Sequence, residues 1–92
     1  MSEIEKYFNA EKWKKFSSIF KSKENNPKFI ELVNALENDI EIANVIYEEF
    51  ESESLNWINE KIPALDNLTP KECLANSKLK NRLKECLMRM PR

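Results

Sequence analysis

Two thiols, a run of carboxylates and a cluster of bases are the groups in this sequence that could do chemistry. Cys73 and Cys86 lie thirteen residues apart in a chain with no histidine. Zinc sites draw on Cys and His at shorter spacing, so this pair reads as two core cysteines and no metal is expected. Losing histidine also removes the usual general base near neutral pH and the usual partner of a Ser or Cys nucleophile. Carboxylates remain: Glu48 and Glu49 are neighbours, and Glu49 and Glu53 share a helix face at i, i+4. An acid–base pair needs a cleft that drives two pKa values apart, and nothing apolar and concave follows from the sequence around these residues. The stretch Glu48–Glu53 also lacks the alternating oxygen ligands and the glycine of a calcium loop. No catalytic residue and no cofactor is therefore expected, and the chain reads as a non-enzyme.

The bases are segregated. Six of them (Lys78, Lys80, Arg82, Lys84, Arg89, Arg92) face one acid, Glu85, in the last fifteen residues, while Glu37 to Glu53 holds seven acids and no base, for a net charge of −1. The simplest reading is two solvated helix faces that attract each other within or between chains. Bases late in a helix also offset its macrodipole. The same bases could track nucleic-acid phosphates, but the sequence pI is about 5.6, far below the value of about 9 that usually marks such a domain. Nucleic acid is thus a secondary reading. Trp13, Phe16 and Phe20, with lysines between them, could lie in a membrane interface, yet their helical spacing suits a core. No apolar run approaches the roughly 18 residues that cross a bilayer. The first six residues lack the basic and apolar regions of a secretory signal, so a cytoplasmic protein with reduced thiols is expected.

These groups must be positioned by helices. The chain has 92 residues and no glycine, whereas sheets, hairpins and phosphate loops lean on glycine for positive φ and close approach. The expected fold class is all-α: one domain, residues 1–92, forming a compact bundle of about five helices. Asparagine would serve at left-handed positions, among Asn25, Asn26, Asn38, Asn67 and Asn76. Ser2 and Glu5 have capping-box spacing. Ile4, Tyr7, Phe8, Trp13, Phe16 and Phe20 then trace one long helix or two broken near Asn9, and Ser22 to Asn26 reads as a loop. Asn26-Pro27 opens a second helix with Phe29, Leu32, Val33 and Leu36 on one face. Asn38-Asp39 ends it and caps a third, where Ile42, Val45, Ile46 and Phe50 are widened by Ile40, Ala43 and Tyr47. Ser52 or Ser54 restarts a short helix with Leu55, Trp57 and Ile58. Pro63 disfavours helical geometry at Ile62. Thr69, Pro70 and Glu72 combine an N-cap, Pro at the first helical position and a capping-box acid. Ser77 is expected to cap the last helix, with Leu79, Leu83, Cys86, Leu87 and Met90 inward and Pro91 as its stop.

From Leu55-Asn56-Trp57-Ile58 through Ile62-Pro63-Ala64-Leu65-Asp66-Asn67-Leu68-Thr69-Pro70-Lys71-Glu72, followed by Lys78-Leu79-Lys80-Asn81-Arg82-Leu83, the sequence resembles the toxin-binding domain of Xre/MbcA/ParS-like antitoxins. The resemblance covers about residues 50–90. Its physics is an elbow: Trp57 anchors the preceding helix, Pro63, Ala64 and Leu65 plug an extended segment into the core, and Thr69-Pro70 with Glu72 launches the next helix. In that family the domain binds a toxin that degrades NAD, and its C-terminal part occludes the toxin's active site. The resemblance therefore implies a protein partner, an NAD-degrading toxin among the candidates. Asn67 stands where the family usually has glycine, and asparagine tolerates that geometry. Residues 1–50, with seven Lys against ten Asp and Glu, show no glycine-containing helix-turn-helix, so operator binding is left unsupported. The motif also occurs in proteins that are not antitoxins, so toxin neutralisation does not follow from it alone.

The expectation is a non-catalytic protein-binding module whose C-terminal helix and elbow dock sterically on a partner. Arg82, Lys84, Arg89 and Arg92 are the expected polar contacts and Met88 the apolar anchor. The alternatives are a nucleic-acid-binding regulator using the same helix, and a structural subunit that forms a homodimer through Trp13, Phe16 and Phe20.

Overall fold

The computed structural model describes residues 4–20 and 25–90. Its fold is all-α, as expected. The helices are α1 (Ala10–Ser18), α2 (Pro27–Ala35), α3 (Ile40–Phe50), α4 (Ser54–Trp57) and α5 (Ser77–Arg89). Four of these are nine residues or longer and α4 is a single turn, so the described residues form four full helices rather than five. The segment after Thr69-Pro70 forms a 3-10 turn, Glu72–Ala75, in place of a regular helix.

Short polar residues start the four full helices by satisfying amide groups that the first turn leaves unpaired. Asn9 breaks the N-terminal stretch in two: a 3-10 helix, Ile4–Tyr7, precedes it, and its Oδ1 accepts from the Glu11 and Lys12 amides at 2.9 and 3.2 Å. Asn26 does the same for Lys28 and Phe29, and its Nδ2 donates to the Tyr47 hydroxyl at 2.8 Å. Asp39 accepts from the Ile42 amide at 3.0 Å. The last helix is capped by Asn76, which accepts from the Leu79 amide at 2.9 Å, and not by Ser77, which is its first residue. Ser2 of the expected N-terminal capping box lies outside the described residues, as do Ser22 to Glu24 of the first loop and Pro91.

Left-handed backbone falls on acids and asparagines in the absence of glycine. Glu37 and Asn38 (φ 57° and 66°) turn the chain from α2 to α3, and Asp66 and Asn67 (φ 57° and 65°) close the elbow. Asn38 and Asn67 match the sequence reading, whereas Asn25, Asn26 and Asn76 are not left-handed, and Asn26 and Asn76 serve as helix caps. Glu51 falls outside that reading: at φ 48°, ψ −120° it occupies a region open almost only to glycine, which costs on the order of 1–3 kcal/mol. Glu51→Gly should therefore stabilise the fold by about 1 kcal/mol, after allowing for the entropy that glycine adds to the unfolded chain. A higher urea midpoint at unchanged slope would confirm this, and a lower midpoint would refute it.

The core joins all the long helices. Trp13, Phe29, Leu32, Leu36, Ile42, Val45, Ile46, Ile58, Leu65, Leu83 and Leu87 are buried almost completely. Trp57 anchors α4 by stacking on Phe50, with ring centroids 4.5 Å apart, and Phe29 meets Tyr47 edge-on at 5.8 Å. Ile40 departs from the expected face. It is the first residue of α3, beside the cap, and is 49% exposed.

Candidate partner-binding face

The elbow that precedes α5 is compact. Ile62 and Leu68 form an antiparallel bridge, with the Ile62 amide donating to the Leu68 carbonyl at 3.0 Å. Between them Pro63–Leu65 makes one 3-10 turn. Leu65 is the plug: it is fully buried, whereas Pro63 and Ala64 face solvent. A turn of three residues can aim only one side chain inward, so the expected Pro-Ala-Leu plug reduces to Leu65 with half-buried Ile62 and Leu68 beside it. The Thr69–Glu72 capping box forms as expected. The Glu72 amide donates to Thr69 Oγ1 at 3.0 Å and the Thr69 amide donates to Glu72 Oε1 at 2.8 Å. That second bond holds the Glu72 carboxyl below the usual carboxylate range.

The bases proposed from the sequence have different fates along α5. Arg82 points inward and is only 7% exposed. Its Nε and Nη2 donate to Glu5 Oε1 and Oε2 at 2.7 and 3.3 Å, and its Nη1 donates to Asp66 Oδ2 at 3.0 Å. A planar guanidinium suits this two-carboxylate arrangement because its forked donors match a carboxylate edge. Hydrogen bonds from Arg82 hold the Glu5 carboxyl below its usual range, against the opposing effect of burial. Arg82 therefore ties the N-terminal 3-10 helix, the elbow and α5 together, which corrects its expected place on an open docking surface.

Lys84 is half-buried, with Nζ 5.5 Å from the centre of the Trp13 ring and 5.8 Å from that of Phe8. Met88 is half-buried against the core. Arg89 is the most open of the described candidates, its side chain 50% exposed; Nε donates to Glu85 at 2.7 Å and the guanidinium lies 5.3 Å from the Tyr7 ring centre. Arg92 lies outside the described residues. The attraction between basic and acidic segments is realised within one chain, where Lys80 reaches Asp39 at 3.8 Å. Glu41 of the same acidic run accepts from Trp13 Nε1 at 3.0 Å.

Sequence reasoning missed Glu5 and Asp66 as partners of Arg82, and Tyr7, which is 70% exposed beneath Arg89. One signal was present. Arg82 falls three residues after Leu79 and four before Cys86, inside the apolar phase of α5, where a charge requires a buried acid.

Both cysteines are free and buried. Burial pushes the Cys73 thiol up to about 11 and raises Cys86 as well, so both are protonated at neutral pH and poor nucleophiles. Among the described residues no three His, Cys, Asp or Glu side chains gather as metal ligands, and no helix is long and apolar enough to cross a membrane. No family model, curated protein or solved structure matches the chain.

Proposed function

We propose that this chain is a small non-catalytic protein-binding module, acting by steric docking in the manner of the toxin-binding domains its second half resembles. The observation that carries the reading is the exposed Tyr7–Arg89 pair at the end of α5, where half-buried Met88 and Met90 flank Arg89 in sequence. Tyr, Arg and Met are over-represented at protein interfaces, and Tyr and Arg among the residues that dominate binding energy. Arg89 and Met88 are the contacts kept from the sequence reading, and Tyr7 marks where an aromatic ring packs on Arg89. An NAD-degrading toxin is the partner the resemblance favours. Nucleic-acid binding is less favoured, because Arg82 is committed to two carboxylates and Arg89 to a third.

The test is purification of the tagged chain from its native cells with mass spectrometry of what accompanies it. One protein in stoichiometric amount is expected, and Arg89→Ala with Met88→Ala should weaken its binding by about tenfold or more. Recovery of the chain alone, or of nuclease-sensitive nucleic acid, would refute the reading.

A further inference from the structure

The 3-10 helix Ile4–Tyr7 and the residue after it run along α5 as a strap, and three of the strap's side chains each engage one of that helix's bases. Glu5 holds Arg82, the Tyr7 ring lies beneath Arg89, and Phe8 lies beneath Lys84. We propose that the strap is an internal occupant of the partner-binding face, and that a protein partner displaces it with a segment that carries a carboxylate and an aromatic residue close to it. This rests on the protein-binding reading above and adds to it the chemistry of the partner and a release step.

The strap is suited to leaving. A single turn of 3-10 helix has little stability of its own, since nucleating a turn is unfavourable, so its attachment depends on the side chains it lays on α5. Arg82 binds two carboxylates, but only one sits on an element that can leave, and what that element lends the core is the partly buried Phe8 ring. Asp66 belongs to the elbow, next to fully buried Leu65, whereas Glu5 belongs to the strap.

Departure of Glu5 would leave Nε and Nη2 of a largely buried guanidinium without acceptors, a state costly enough to favour any incoming group that fits. The fitting group is a carboxylate, because Glu5 already meets the fork with both oxygens. A phosphate is disfavoured: Asp66, 3.0 Å from Nη1, leaves the pair Arg82–Asp66 with no net positive charge to hold a dianion. The strap's own sequence, Glu5-Lys6-Tyr7-Phe8, is the template for the competitor.

The test uses the full chain and a labelled peptide of sequence Ile-Glu-Lys-Tyr-Phe-Asn, followed by fluorescence anisotropy. Two variants loosen the strap: Glu5→Gln with Tyr7→Ala, and Tyr7→Ala alone, which removes a side chain 70% exposed and leaves the core intact. The loosened chains should bind the peptide about tenfold tighter than the original chain, because an occupied face lowers apparent affinity by its free fraction. A peptide with Gln in place of Glu should bind much more weakly to all three. Equal affinity of the original and loosened chains, no binding to any, or displacement of the peptide by inorganic phosphate would overturn the proposal. If the peptide fails while a protein still co-purifies with the chain, the strap mechanism falls and the protein-binding reading stands.

Discussion

Arg82→Ala is expected to destabilise the chain by about 3 kcal/mol, because removing one partner of a buried ion pair leaves charge without compensation. Glu5, Asp66 and Arg82 have side chains 8%, 31% and 9% exposed, so Glu5 carries most of this effect and Asp66, nearer water, carries less. For a chain of this size such a loss is a large fraction of total stability. Adding Glu5→Gln to Arg82→Ala should recover part of it by removing the stranded charge. Acid should narrow the gap between the two chains. The pKa of Glu5 is lowered in the fold, so its contribution is present above its unfolded value, about 4.3, and disappears as pH falls through the lower folded value. Urea unfolding at pH 7 and at pH 3 checks both statements. Equal midpoints for Arg82→Ala and the original chain at pH 7 would show that the latch contributes nothing.

Trp13→Ala is expected to cost about 4 kcal/mol, in the range found for large aromatic truncations in cores. Trp13 is 1% exposed. It packs against Phe16 with ring centroids 6.2 Å apart, donates to Glu41, and lies under the Lys84 ammonium. Truncation therefore opens a cavity and removes three distinct contacts. This bears on the homodimer alternative, in which Trp13, Phe16 and Phe20 would form an intersubunit stripe. A stripe of that kind would leave Trp13→Asp as a folded monomer. The burial of Trp13 within one chain instead makes unfolding the expected result, read as loss of the helical circular dichroism signal at room temperature. A helical, monomeric Trp13→Asp beside a dimeric original chain would favour the dimer alternative.

Much of the fold was legible because its signals are local. Asn26-Pro27, Asp39 and Thr69 with Glu72 announce their turns within three residues, and each forms the bonds its type allows. The stripes of α2 and α5 follow helical period for the same reason. What escaped depends on distance or on backbone. The choice of Asn76 over Ser77 as cap turns on one residue's ψ, which propensity does not fix. Glu51 gives no warning of its positive φ, since glutamate is not among the residue types enriched there. The candidate face was half legible: a base in the apolar phase of α5 announces that an acid is needed, but nothing local identifies Glu5, 77 residues away.

That separation has a consequence for the order in which the chain folds. Capped helices joined by tight turns bring most contacts together early, which favours rapid folding. The bond between Glu5 and Arg82 closes nearly the whole chain into a loop, and so belongs after the transition state. The loss expected for Arg82→Ala should then fall mainly on the unfolding rate and leave the folding rate little changed. The strap would act as a kinetic clasp, governing how long the finished molecule stays closed and having little part in how it is made.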